Sequence, residues 1–182
     1  MIEQFAVYAR PVLDFPFIRR TRRNHALEHA TIHVLTERKT RAAMAGRSSD
    51  GGFVLIGNVP TEQVEAAAQE ALNRLRRGER RLALHPNCGT NLVTAGVLTT
   101  LTAYLGLGTT SKRPTGDRLS WTMALMMLAL MVSQPLGMTL QKHITTEGDP
   151  GDLEIVGVSR RQVRWPFAGS PVTVHRVVTR RG

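Results

Sequence analysis

Two uncharged apolar runs limit the folds open to this chain. From Leu92 to about Thr109 the sequence is apolar apart from threonines, and from Leu119 to Leu140 it is apolar again, interrupted by Ser120, Ser133, Gln134 and Pro135. At 1.5 Å of rise per residue, each run is long enough as a helix to cross a hydrocarbon core about 30 Å thick. A buried helix of a soluble core is the alternative for the first, weaker run. The connector Thr110 to Arg118 holds Lys112, Arg113 and Arg118, whereas 14 Lys and Arg precede the first run and 7 follow the second. Because basic residues gather on the cytoplasmic side of a span, this asymmetry predicts a multi-pass protein of the inner (plasma) membrane with both termini in the cytoplasm.

The remaining chain is basic. The 182 residues carry a formal net charge of +10, which raises the question of nucleic acid, but aromatic residues are only 5% and no base-stacking or groove-reading motif is present. The arginines lie beside the apolar runs instead, a placement suited to anionic lipid head groups. A lone cysteine, Cys88, excludes an internal disulfide framework and leaves that thiol to packing or to chemistry.

The stretch His25-Ala26-Leu27-Glu28-His29 stands in a run without Pro or Gly whose apolar residues recur at helical spacing. On a helix, residues four apart share a face, so the imidazoles of His25 and His29 stack with Glu28 beside them. Two such histidines seat a metal, and a carboxylate that does not ligate can take a proton from water at that metal. This is the inverted-zincin pattern H-x-x-E-H. A solvated basic face is the bland alternative, and a metal seat needs at least one further ligand.

Taken in order, residues 1–23 read as a basic interfacial arm, broken by Pro11 and Pro16, with Phe15 and Phe17 at head-group depth. Ala42–Gly46 and Gly52–Val59 read as two strands of a hairpin about the turn Ser48–Gly51. A helix follows with Thr61 as N-cap, an apolar stripe of Val64, Ala67, Ala68, Ala71, Leu72 and Leu75, and Gly78 at its end. Leu82–His85 reads as a short strand and Pro86–Asn91 as a turn. Beyond the apolar runs, Leu153–Val158 and Val172–Val178 look like strands that either extend the first sheet or lie at the membrane surface, with the Trp165-Pro166-Phe167 cluster between them.

The succession of H-x-x-E-H helix, two strands, the Gly52-Phe53 strand running into a helix, and Asn87-Cys88-Gly89-Thr90 resembles the S-ribosylhomocysteine lyase family over about Asn24 to Asn91. The αββα core also resembles the pitrilysin-type and mitochondrial-processing-type metallopeptidases. The whole chain is similar to an uncharacterised family of small two-span bacterial membrane proteins with HALEHAT-like and HPxCGTN-like blocks. The lyase resemblance implies that His25, His29 and Cys88 bind a divalent metal, zinc with iron or cobalt as alternatives, and that Glu28 is the catalytic base. Two imidazoles and a thiolate independently make a three-ligand tetrahedral site with one open position. His85 is a candidate fourth ligand, and His33 is left outside the site. The lyase uses a second cysteine that this chain lacks, and the peptidases use a carboxylate where Cys88 stands.

The expectation is therefore an α+β protein, an αββαβ metalloenzyme-like core with two transmembrane helices, divided into residues 1–23, 24–91, 92–140 and 141–182. Its expected function is that of a membrane-anchored, metal-dependent hydrolase, in the peptidase style, acting on a substrate near the cytoplasmic leaflet. The alternative is a non-catalytic membrane accessory or sensor protein with a structural metal. The expected partner is the lipid bilayer rather than nucleic acid.

Overall fold

Proline sets where the N-terminal helices begin. In the computed structural model, which describes residues 2–39, 43–108, 115–164 and 171–182, helix α1 (Ile2–Tyr8) is followed by a short α2 (Arg10–Leu13) and by α3 (Pro16–Glu37). Pro11 and Pro16 both sit in first turns, where a missing N–H costs nothing, so they start helices rather than break an arm. The H-x-x-E-H helix thus begins well before Arg22. Arg20, Arg22 and Arg23 face Asp50, Glu147 and Asp152 of the same chain, so these three arginines serve the unit's own structure.

Two compact units divide the chain: residues 1–84 with 142–182, and residues 85–141. In the first, β1 (Ala45–Ser49), β2 (Gly52–Ile56), β3 (Glu154–Val163) and β4 (Val172–Arg180) form an antiparallel sheet ordered β1-β2-β4-β3. The C-terminal runs therefore extend the first sheet, the choice local pattern left open. Alternate residues of β2 and β4 are buried; Phe53 pairs with Val177 and Leu55 with His175. Helices α3 and α4 (Thr61–Arg76) pack on the sheet through Leu27, Val34, Leu35, Val64 and Leu72. Burial of such side chains stabilises by about 1.5–3 kcal/mol each.

Three local expectations are corrected. Ser48 and Ser49 belong to β1 and the turn is Asp50–Gly51, because Asn24 of α3 donates to the carbonyls of Ser49 and Asp50 and its own carbonyl accepts from Thr179. Pro60, not Thr61, occupies the cap position of α4, with no side-chain cap bond, since its extended backbone already aims the chain into the helix. Arg80–Ala83 form a 3₁₀ turn rather than a strand starting at Leu82; Leu82 and Ala83 bury against the first unit, and the carbonyls of Ala83 and Leu84 accept from histidines of α3. Ala42, Lys112, Arg113 and the Trp165–Phe167 cluster lie outside the described residues.

His175 is wholly buried in β4. Burial, aided by the charge of Arg160 and only partly opposed by the backbone of Val59 and Gly57, lowers its pKa below the usual 6.5. A lowered histidine pKa contributes stability that is present above the unfolded value and is lost as pH falls toward the folded one. Thermal unfolding at pH 7.5 and 5.5 is therefore expected to show a drop in Tm on acidification that His175→Leu reduces; an equal drop in both proteins would contradict this.

In the second unit, α5 (Gly89–Leu107, 19 residues) and α6 (Gly116–Leu140, 25 residues) pack against each other, and a π-helical turn over Gln141–Thr145 continues the chain. Both helices are long and apolar enough to cross a membrane. Their apolar side chains are mostly exposed, among them Leu92, Val93, Trp121, Met127 and Met131. A helix at the centre of a soluble core would instead bury such a surface.

Candidate metal centre

The site is built on α3. His25 and His29 lie one turn apart with ring centroids 4.4 Å from each other, and each Nδ1 is committed to the backbone: His25 to the Thr145 carbonyl at 2.9 Å and His29 to the Ala83 carbonyl at 2.7 Å. A carbonyl only accepts, so each Nδ1 carries a proton and donates, which makes Nε2 the atom each ring would offer to a metal. Metal-binding histidines are oriented in this way. Arg22 holds the loop that supplies Thr145, donating to the carbonyls of Ile144 and Thr146, while the Glu147 amide donates back to the Arg22 carbonyl.

Cys88 caps the N-terminus of α5 and is 5% exposed; its sulfur accepts from the Thr90 amide at 3.4 Å. An anionic sulfur suits that end of a helix. Among the described residues, His25, His29 and Cys88 are a donor set that could hold a metal ion. The donor set fits a divalent cation with affinity for nitrogen and sulfur, zinc above all. His85 and His33 are not members of the group. The His85 Nδ1 accepts from the Asn87 amide at 3.3 Å, and the His33 Nε2 donates to the Leu84 carbonyl at 2.8 Å.

Glu28, 4% exposed, turns toward β1 and accepts from the Ser48 hydroxyl. Burial raises its pKa above the usual 4.5, while the Ser48 hydrogen bond and the charge of His25 pull it back. A raised pKa makes the carboxylate a stronger base. Gly46 makes room for it: a Cβ there would lie 2.1 Å from Glu28 Oε1. Of the four residues the sequence placed in the hairpin turn, Ser48 thus serves Glu28, whereas Ser49 donates to the Gly52 carbonyl and Asp50 pairs with Arg20.

Pattern reading missed a polar clamp inside the second unit. Gln141, fully buried, donates to Asn91 Oδ1 at 2.8 Å and accepts from the His85 amide at 3.0 Å; Asn91 donates to the Pro86 carbonyl at 2.6 Å. Gly137 allows the approach, since a Cβ there would lie 2.3 Å from Asn91 Oδ1. These bonds bracket the turn that carries Cys88. An amide directly after the apolar run that ends at Leu140 is the signal that could have found it.

An α+β unit with an antiparallel sheet, continuous in sequence with two helices of membrane-crossing length and accompanied by a His/His/Cys group, defines the class of protein. The chain belongs to the family described as Domain of unknown function (DUF6391), whose pattern matches residues 20–158 and so takes in the histidines, Cys88 and both apolar helices. It is 38% identical over 148 residues to an uncharacterized protein of Picosynechococcus sp. (strain ATCC 27264 / PCC 7002 / PR-6), an alignment covering 69% of this chain and 65% of that protein. The chain thus spans just under two thirds of the length of that relative. No solved structure matches.

Proposed function

We propose that the protein is a membrane-anchored, metal-dependent hydrolase, acting in the manner of a metallopeptidase on a substrate near the cytoplasmic leaflet. The observation that carries this reading is the pair of imidazoles one turn apart on α3, each oriented by a backbone carbonyl, with the buried Glu28 carboxylate on the same helix. A divalent ion bound there would supply Lewis acidity toward a carbonyl and acidify water. His25, His29 and Cys88 would hold it, and the carbonyls of Thr145 and Ala83 fix the two imidazole rings. Glu28 takes the proton from attacking water and returns it to the leaving group, while the Ser48 hydroxyl fixes the carboxylate. Carbon–sulfur lysis is disfavoured because Cys88 is the chain's one thiol.

A structural or sensor metal would call for a fourth protein ligand; His85, the nearest candidate in sequence, stands outside the group. The two apolar helices serve as the anchor, and the excess of basic residues outside their connector supports a cytoplasmic site in the inner membrane. Elemental analysis of the full chain purified in detergent tests the reading. About one divalent ion per chain is expected in the wild type and less than about a tenth of that in His25→Ala, His29→Ala or Cys88→Ala, since each leaves only two ligands. A wild-type protein without metal, or variants that keep it, would defeat the proposal.

A further inference from the structure

Within the first unit, α1, α2 and the turn after α6 wall a cavity of about 430 Å³ whose charges are unevenly satisfied. Glu147 lies 3.6 Å from Arg22 and Glu3 lies 3.3 Å from the His143 ring, while Asp14 contributes to the field at Arg22. Glu147 and Glu3 therefore each have a basic side chain beside them, the second as an ion pair only when the His143 ring is protonated. Arg10, Arg80 and Lys142 line the same cavity, are exposed, and make no ion pair among the described residues. An adjoining cavity of about 340 Å³ shares Arg80 and Lys142 and adds Arg81. Like charges gathered on one hollow repel, and an anion between them reverses that cost.

Two further observations identify the anion. Lys142 directly follows Gln141, the residue that caps the apolar helix α6, so where α6 crosses a bilayer this cavity stands at the head-group level. Its outer wall, α1 and α2, exposes Phe5, Val7, Tyr8 and Val12, side chains that favour the acyl boundary. The floor is firm, since the buried Arg22 is held by the carbonyls of Ile144 and Thr146. We propose that this cavity binds the phosphate of an anionic phospholipid head group through Arg10, Arg80 and Lys142. A soluble phosphoester offers the same chemistry; the apolar wall selects the lipid. The inference rests on the membrane anchor of the preceding section but not on its metal.

The test uses the full chain in detergent, titrated with short-chain phosphatidylglycerol or phosphatidylcholine and followed by native mass spectrometry. The wild type should retain phosphatidylglycerol in preference to phosphatidylcholine. R10Q/R80Q/K142Q should bind it about a hundredfold more weakly, as expected for three basic groups near a lipid surface. R160Q/R161Q/R164Q, which removes the same charge from exposed positions in and just after β3, should bind like the wild type. Equal binding by the first variant, or an equal loss in the second, would overturn the site. Displacement of the lipid by inorganic phosphate at comparable concentration would overturn the lipid assignment in favour of a soluble phosphate compound. Metal content measured on the same samples should not differ among the three proteins, so failure of the metal reading would show separately from failure of this one.

Discussion

Replacement of Glu28 by glutamine is expected to abolish turnover while leaving the metal in place. The amide keeps the shape of the carboxylate and can still accept from Ser48, but it cannot take a proton from water. Loss of a positioned general base costs about 10²–10⁴-fold in rate. Glu28 is outside the ligand group, so metal content should equal that of the wild type. A panel of fluorogenic peptides, read alongside elemental analysis, checks both halves: undiminished hydrolysis by Glu28→Gln would exclude Glu28 as the base. The same variant makes a stability prediction of the opposite sign. Burial raises the Glu28 pKa, so in the metal-free chain its contribution to stability is full below the unfolded value near 4.5 and is lost as pH rises through the folded value. Metal-free Glu28→Gln should therefore melt higher than metal-free wild type at neutral pH, with the difference closing in acid. A residue that weakens the fold while serving the reaction is expected to behave in this way.

Gln141→Leu is expected to loosen the metal without touching a ligand. Removing the amide deletes two hydrogen bonds around the Cys88 turn, one to Asn91 and one from the His85 amide. Groups that orient a metal ligand typically change affinity by about 10–100-fold when lost, and a buried polar group deprived of a partner costs about 1–3 kcal/mol. Gln141→Glu keeps the acceptor for the His85 amide and loses the donor to Asn91, so its effect should fall between. Competition with a chelator of known affinity measures the change. A cobalt-substituted sample should also show altered thiolate-to-metal absorption in Gln141→Leu, a signature that mere loss of stability would not produce. Unchanged affinity and spectrum in a folded variant would remove Gln141 from this role.

Sequence and structure divide the account of this protein along a physical line. Residues close together in the chain report their own surroundings: an uncharged run long enough to cross a bilayer, a helical face bearing His25, Glu28 and His29, an apolar stripe on α4, and a short apolar run at β2 bounded by turn residues. Those features were legible because helix and strand periods are local properties. Fold-level contacts between distant segments were not. Nothing in Val172–Val178 says that it inserts between β2 and β3, and nothing around Leu82 says that its neighbours' carbonyls will orient histidines more than fifty residues away. The same holds for Gly46, whose missing side chain admits the Glu28 carboxylate, and for Gln141, which reaches back fifty residues to Asn91. Their roles come from buried polar groups seeking partners wherever folding brings them. A hydrogen bond of that kind leaves no periodic trace in the sequence, so candidate ligands could be named from residue types, and the structure alone showed which backbone groups hold the two histidine rings.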